Sequence, residues 1–336
     1  MTAMSNPSLL VADIGGTNAR FALTEPGAAQ PPLRHQQAVV TADFASLRGA
    51  VEHYLGQLPA AEARPRRAVF AVASAVTGDA VKITNNPWAF SIRELGAQLQ
   101  LDALDVINDF TAMASVLPVL HDADLQTIGN VARAPSPAAG AGERRCYAVV
   151  GPGTGLGVGG VIVERGRSVV IESEGGHVGF APGTAYELEL LRVLLPRFGR
   201  VSAERLISGT GLVNLYDAVR AVDGLPADPL TPPQISAAAE RDPQGPAART
   251  LQVFAELLGA FAGDVAMAFG AWDGVLLPGG VTQKLLPWIE AGGFRRRFED
   301  KGRHGAILQR IPTQVILHPQ AGLLGTAAYA AGLVLR

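Results

Sequence analysis

Short apolar runs alternate with glycine-rich turns and amphipathic stretches along the whole chain, which is the pattern of an α/β protein. In its first third the pattern predicts, in order, strands at about 8–14, 18–24 and 34–40, a helix at about 44–57, strands at 68–73 and 80–84, a helix after Ser91, a strand at 105–107 and a helix from about Thr111.

The second half repeats the opening pattern. After a linking loop at 134–142, we expect strands at about 145–151, 157–163 and 167–172, helices at 184–198, 203–207, 211–222 and 247–270, strands at 273–277 and 314–317, and a helix from Ala321. The proline-rich run at 226–233 is interpreted as a connection. The β-β-β-α-β-α order resembles a ribonuclease-H-like core, so we predict two such domains with an active-site cleft between them. The small domain would span 1–119 and be completed by a C-terminal helix at 318–336, and the large one would span 120–317.

The stretch from Leu10 to Arg20 predicts a hairpin whose turn could hold an anion. Adjacent Gly15 and Gly16 let backbone N–H groups approach a phosphate, and Thr17 adds a donor. Asp13, at the end of the strand, could face a metal-bound phosphate. An ordinary hairpin with a glycine turn explains this stretch alone equally well.

A second turn of this kind lies between Val149 and Val163. Gly155, Gly157 and Gly160 match the dinucleotide pattern G-x-G-x-x-G, but that pattern must open a helix, whereas here a β-branched run follows. The chain contains no P-loop pattern. Two glycine turns, each early in an α/β segment, instead predict two related domains that grip one phosphate chain.

Composition narrows the class. The 336 residues are 48% hydrophobic and 17% charged, and the net charge of −2 argues against a nucleic-acid or anionic-membrane partner. Cys146 is the single cysteine, which excludes an internal disulfide or a cysteine-rich zinc site. No secretory signal opens the chain, so a cytoplasmic protein is expected. The basic cluster around Arg295 to Arg297 is interpreted as a solvated loop.

Several polar residues could carry chemistry, each with a structural alternative. Asn108 and Asp109 follow a predicted strand, where they could cap a helix or supply the carboxylate that phosphoryl transfer to an alcohol needs. Glu174 and His177 flank two glycines and suit sugar hydroxyls better than a metal, because the other histidines lack ligand spacing. Glu204 could equally be a helix-start acid.

Gly279 and Gly280 follow an apolar strand. They could accept a flat purine against bare backbone or form a tight strand-to-helix turn.

These motifs together closely resemble bacterial glucokinase, of the hexokinase–actin-like ATPase superfamily, from about residue 8 to the C-terminus. The motifs are Asp13 to Arg20, Thr84 to Ser91, Val106 to Phe110, Gly153 to Gly157, Glu174 to His177 and Ser202 to Gly209. Two departures are the missing proline between Ala73 and Val76, and Gly179 where an acid is common.

The resemblance implies ATP-dependent phosphorylation of the C6 hydroxyl of glucose, with Mg²⁺ arriving as MgATP and Asp109 as the base. It implies that glucose contacts Asn108, Asp109, Glu174, His177 and Glu204. It implies that the ATP phosphates lie at Ala12, Asp13, Ile14, Gly15, Gly16, Thr17, Gly153, Thr154 and Gly155, with the adenosine near Gly279 and Gly280. No protein-bound structural metal is expected, and Asp13 is expected to reach the Mg²⁺ through water.

Two rival functions remain open from the sequence. A sugar-responsive regulator would need a DNA-binding helix-turn-helix and a basic face, yet the chain begins almost directly with its first strand. A kinase for another hexose, or one using another phosphoryl donor, fits the same motifs. The oligomeric state is also left open, and a homodimer is one state the sequence allows.

Overall fold

The first half of the protein forms a five-stranded sheet with helices on both faces. A computed structural model describes residues 8–133, 144–164 and 167–335, so the predicted loop at 134–142 lies outside the described residues. The elements of this half are β1 (Leu9–Ile14), β2 (Asn18–Thr24), β3 (Arg34–Val40), α1 (Leu47–Gly56), β4 (Arg67–Val72), β5 (Ala80–Lys82), β6 (Ala89–Ser91), α2 (Ile92–Gln98), β7 (Ala103–Asn108) and α3 (Asp109–Ser115).

The strand order of this sheet is β3-β2-β1-β4-β7. The first three strands are antiparallel, and β4 and β7 continue the sheet parallel to β1. Strands β5 and β6 form a separate hairpin. The observed order confirms the ribonuclease-H-like arrangement predicted for this half.

The second half contains a seven-stranded sheet and most of the helices. Its elements are β8 (Leu125–Ile128), β9 (Arg144–Pro152), β10 (Leu156–Glu164), β11 (Arg167–Ser173), α4 (Ala185–Phe198), α5 (Gly209–Val222), α6 (Pro232–Arg241), α7 (Pro246–Phe269), β12 (Gly274–Leu277), α8 (Gly280–Lys284), α9 (Leu286–Glu290), α10 (Gly293–Glu299), α11 (Gly305–Leu308), β13 (Thr313–Ile316), α12 (Ala321–Ala330) and β14 (Val334–Leu335).

The order of this second sheet is β14-β11-β10-β9-β12-β13-β8. Without its two edge strands, β14 and β8, it repeats the first sheet strand for strand. The antiparallel hairpin β9–β10 corresponds to β1–β2, and β12 lies parallel to β9 as β4 lies to β1. The duplication that the sequence predicted is therefore confirmed.

Helices α3 and α12 lie between the two sheets. On the first sheet, Val11 and Ala22 are buried under Leu323 and Ala327 of α12. On the second sheet, both helices pack against β9 and β10. A Cβ at Gly325 would overlap the carbonyl of Ala112, so the two helices touch backbone to backbone. The opposite face of the first sheet is covered by α1 and α2.

Helix α7 is the central helix of the second half. By length and composition it could span a membrane, but 61% of its most apolar window is buried in the protein. It packs against α5, α6, α10 and β9. This environment is that of the core helix of a folded domain.

The interpretation of the basic cluster as a solvated loop is wrong. It forms α10, and only 8% of Arg295 and 9% of Arg297 are exposed. Arg297 Nη2 lies 2.9 Å from Glu187 Oε1, and Arg295 Nη1 donates to the Ile311 carbonyl at 2.8 Å. The several fixed donors of a guanidinium can be satisfied inside a core, whereas an isolated buried charge would be strongly unfavourable.

Two further expectations need correction. The proline-rich run ends in a helix, because Pro232 and Pro233 occupy the first turn of α6, where proline is tolerated. Thr231 and Gln234 form a capping box at its start. The helix expected at 203–207 is only a 3-10 turn, Ala203–Arg205.

Candidate active site

Two carboxylates stand at one edge of the first sheet. The strand register pairs Ile14 with Val72 and Val72 with Asn108, so the parallel strands end level with one another. Asp13 is the last residue but one of β1, and Asp109 begins α3 directly after β7. This edge carries the carboxyl ends of the parallel strands, where open α/β sheets bind their ligands.

Asp109 sits in surroundings that favour its protonated form. Burial is the main cause that raises its pKa from 3.8 to about 6, and the negative charges of Asp13 and Glu174 add to the rise. Backbone N–H groups at the start of α3 lower the pKa only in part. A carboxyl group with such a pKa is ionised at neutral pH but readily accepts a proton, as a general base must.

Asp13 has one cationic neighbour. Burial raises its pKa, and this is opposed by Arg20, whose Nη1 lies 3.5 Å from Asp13 Oδ2. The contact is too long and too exposed on the arginine side to neutralise the carboxylate fully. Asp13 therefore keeps acceptor capacity toward the edge of the sheet.

Asn108 is the N-cap of α3, so the structural alternative is confirmed for this residue. Its Oδ1 accepts the backbone N–H of Phe110 at 2.8 Å, and its Nδ2 donates to the Ser74 carbonyl at 3.0 Å. The side chain thus holds the start of α3 against the loop after β4. Oxygen and nitrogen each retain capacity for one more hydrogen bond.

Glu174, His177 and Glu204 come together on the second half of the protein. His177 lies in a 3-10 turn after β11, with Nε2 3.7 Å from Glu174 Oε2 and Nδ1 3.6 Å from Glu204 Oε1. The exposed fraction of the side chain is 75% for Glu174, 56% for His177 and 29% for Glu204. These distances exceed a hydrogen bond, so all three groups can still take a polar ligand.

Glu204 also touches the second glycine turn. Its Oε2 accepts the backbone N–H of Leu156 at 3.0 Å, directly after that turn. The carboxylate therefore reaches from the His177 turn to the second glycine turn. The helix-start alternative is confirmed for the position of Glu204, which is the acid in the first turn of the 3-10 helix Ala203–Arg205, and the contact with Leu156 is made in addition.

Both glycine turns are strand-turn-strand hairpins, as predicted. In the first, Gly15 N donates to Asn18 O, and Gly16 O accepts from the side chains of Thr41 and Asn86. The threonines Thr17 and Thr154 are exposed at the two tips, whereas the side chains of Ala12 and Ile14 are buried in the sheet.

The second turn, Gly153 to Gly155, is fixed from two sides. Gly153 N donates to Gly155 O, and Gly153 O accepts from Gly209 N, both at 2.8 Å. Strand β10 follows directly, so the G-x-G-x-x-G match is indeed no dinucleotide fingerprint.

Gly279 and Gly280 form the tight strand-to-helix turn between β12 and α8. Gly279 has φ of +108°, and a Cβ there would lie 2.5 Å from the Pro152 carbonyl. The turn therefore lies against Pro152, directly before the second glycine turn. Nothing lies within 4 Å of a Cβ built on Gly280, so its backbone borders open space.

A cavity of about 240 Å³ opens between the two halves, and of the candidate site residues Asn108 and Glu174 line it. Its lining includes Thr77 and Asn108 from the first half and Glu172 and Glu174 from the second. Sequence reasoning assigned no role to Glu172 or to Thr111, whose Oγ1 donates to Glu172 Oε1 at 2.6 Å. The sequence signal that could have found them is their position, since Thr111 lies two residues after Asp109 and Glu172 lies two residues before Glu174.

Comparisons with known proteins agree with this geometry. A family model described as Glucokinase matches residues 10–333. A glucokinase of Stenotrophomonas maltophilia is 48% identical over 98% of this chain and 97% of its own, and one of Xanthomonas oryzae is 47% identical over 98% and 96%. The crystal structure of a glucokinase from an Antarctic psychrotroph superposes with a TM-score of 0.85 at 34% identity, covering 96% of this chain and 98% of that one.

Proposed function

Because the chain belongs to the glucokinase family, whose activity is the ATP-dependent phosphorylation of glucose to glucose 6-phosphate, we propose that Asp109 is its general base. The observation that carries this role is the burial of Asp109 at the ligand-binding edge of the first sheet, with its pKa raised to about 6. Its carboxylate accepts the proton of the C6 hydroxyl while that oxygen forms a bond to the γ-phosphorus and ADP leaves.

Four side chains hold the sugar in this proposal. Glu174, His177 and Glu204 bind hydroxyl groups from the second half, and Asn108 binds from the first. The support for all four is their unused hydrogen-bonding capacity, and Asn108 and Glu174 also line the cavity between the halves. Sugar bound there would bring both halves onto one ligand and expel water, which limits hydrolysis of ATP.

The phosphates of ATP lie on the two glycine turns, Gly15 to Thr17 and Gly153 to Gly155. Residues Ala12 to Ile14 can contribute through the Asp13 carboxylate and through backbone only, because the neighbouring side chains are buried. The adenosine lies near the open backbone of Gly280.

Mg²⁺ would arrive with ATP and be held through water by Asp13. Among the described residues, no group of three or more His, Cys, Asp or Glu side chains is placed so that it could hold a metal ion by itself. A single carboxylate such as Asp13 fits Mg²⁺, which uses one or two carboxylates together with substrate phosphates. When bound, the ion neutralises charge that develops on the phosphates.

The two domains are proposed as 1–119 with 318–336, and 120–317. Strand β8 pairs with β13 of the second sheet, which supports a boundary before it, and α12 packs on β1 and β4 of the first. The short β14 then returns to the second sheet. A cytoplasmic enzyme with small-molecule partners agrees with the net charge of −2.

A coupled assay tests the proposal. Purified protein with MgATP and glucose should yield glucose 6-phosphate, and parallel reactions with mannose, glucosamine and other phosphoryl donors would rank its substrates. Glucose binding without any product would instead favour the regulator.

A further inference from the structure

Along one face of the hairpin β9–β10, large side chains give way abruptly to glycines. Side chains alternate between the faces of a strand, so every second residue of the hairpin faces α3. At the far end this face carries Tyr147, Val149 and Val161, which are buried against α3 and α12. Toward the phosphate turn the same face carries only glycines, here called the glycine slot: Gly151, Gly157 and Gly159.

The aromatic ring of Phe110 occupies the glycine slot. Gly157 and Gly151 are direct partners across the two strands. A Cβ on Gly157 would overlap the ring, one on Gly151 would lie 2.8 Å from it, and one on Gly159 would lie 3.6 Å away. Any side chain at Gly157 would therefore displace the ring or the hairpin.

Phe110 is tied as closely to the catalytic edge of the first sheet. It directly follows Asp109, and its backbone N–H is the group that Asn108 caps. A shift of the ring is passed to the first turn of α3 through this short, hydrogen-bonded segment. The glycine slot lies beside the second turn, Gly153 to Gly155. The single contact between the Phe110 ring and the slot therefore joins the first turn of α3 to this glycine turn.

We propose that the glycine slot is a positioning device, which sets the Asp109 carboxylate relative to the phosphate turn of the other half. The inference rests on the proposed function, in which Asp109 is the base and that turn holds ATP. Binding of ATP to the turn and of sugar to Glu174 would then leave the reacting atoms aligned by Phe110. Misplacement of a reacting group by about 1 Å costs on the order of 10²-fold in rate.

Gly157→Ala is the direct test. It should lower kcat by about 10²-fold while the KM values for ATP and glucose change little, since no substrate-binding group is removed. Gly259→Ala is the matched control, because its Cβ would overlap the Phe294 carbonyl between α7 and α10, away from the site. That control should lower the melting temperature and leave kcat near the wild-type value.

A double-mutant cycle separates positioning from loss of stability. Phe110→Ala in the Gly157→Ala background should recover part of kcat, because the smaller side chain removes the overlap. Phe110→Leu alone should also lower kcat, which gives a readout if Gly157→Ala does not fold. A folded Gly157→Ala enzyme with normal kcat, or the absence of any recovery in the double variant, would overturn the inference. Asp109→Asn, measured in parallel, tests the base separately: its full activity would remove the proposed base, while coupling between Phe110 and Gly157 would still be measurable.

Discussion

The two halves of the protein present their acids to the cleft in opposite surroundings. The first half offers Asp13 and Asp109, both buried enough that desolvation is the main cause of a raised pKa. The second half offers Glu174 and Glu204, with side chains 75% and 29% exposed. The group proposed to take a proton is thus partly desolvated before any substrate arrives, whereas the groups proposed to bind sugar are more exposed to water.

The two halves therefore meet the free-energy cost of desolvating their carboxylates at different times. Burying Asp109 disfavours its charged form in the folded protein, and that cost is present at all times. If Glu174 and Glu204 bind sugar as proposed, they lose water when the sugar displaces it, so the cost of their desolvation falls within the binding equilibrium. Variants on the two sides should therefore fail in different ways.

Asp109→Asn should have the largest effect, because it removes the acceptor of the proton. We expect kcat to fall by roughly 10²–10⁴-fold, the usual contribution of a general base. Steady-state kinetics should show KM for glucose nearly unchanged, and exposed Asp43→Asn should behave like wild type. An Asp109→Asn enzyme with normal kcat would remove Asp109 from the mechanism.

The same variant should be more stable than wild type at neutral pH. Between the usual pKa of 3.8 and the folded value of about 6, the folded carboxyl keeps its proton while the unfolded one loses it. Stability therefore falls as pH rises through that window. Asp109→Asn should raise the free energy of unfolding at pH 7.5 by about 1–3 kcal/mol. Urea titrations at pH 4 and 7.5 would check this, and an equal difference at both values would contradict it.

Glu174→Gln and Glu204→Gln test the more exposed acids, those of the second half. Loss of a hydrogen bond to a charged group costs about 1.5–3 kcal/mol, so kcat/KM for glucose should fall roughly 10–150-fold. Only Glu204 also accepts from Leu156 beside the phosphate turn, so Glu204→Gln should raise KM for ATP as well. If Glu174→Gln mainly weakens ATP binding, or if added divalent metal restores it, the sugar assignment is wrong.

The smallest effect concerns the pH profile. As the proposed base, Asp109 must be ionised to act, so kcat should decline below about pH 6. Asp13→Asn removes the negative charge that helps to raise this pKa, and the acidic limb should move to lower pH. Asp13→Asn would also lower the maximal kcat if it weakens the binding of Mg²⁺, but the pH at which kcat declines still reports the pKa of Asp109. If the acidic limb of Asp13→Asn lies at the same pH as that of wild type, Asp13 does not contribute to the raised pKa of Asp109.

Local patterns in the sequence were sufficient to predict most of the strands, both glycine turns and the duplicated order, but not the short strands β6, β8 and β14. They failed where a long-range contact decides the outcome. Arg295 and Arg297 resemble surface residues until Glu187 and the Ile311 carbonyl are brought beside them. The contact between Glu204 and Leu156 spans 48 residues and has no local signal. Asn108 is both a helix cap and a candidate ligand, and only the structure reveals that its amide already has two partners.

Helix α12 has a consequence for how the protein is made. It covers Val11 and Ala22 of the first strands and touches Ala112 of α3, yet it is formed by residues 321–330 of 336. The last strand of the first sheet, β7, ends at Asn108, so a ribosome adds roughly 200 further residues before it reaches α12, which takes about 10–40 s at roughly 5–20 residues per second. Throughout that interval all five strands of the first sheet have been synthesised, but the face that carries Val11 and Ala22 lacks its cover. The nascent chain therefore exposes this apolar face until α12 is made, and a ribosome that stalls before Ala321 would leave it uncovered.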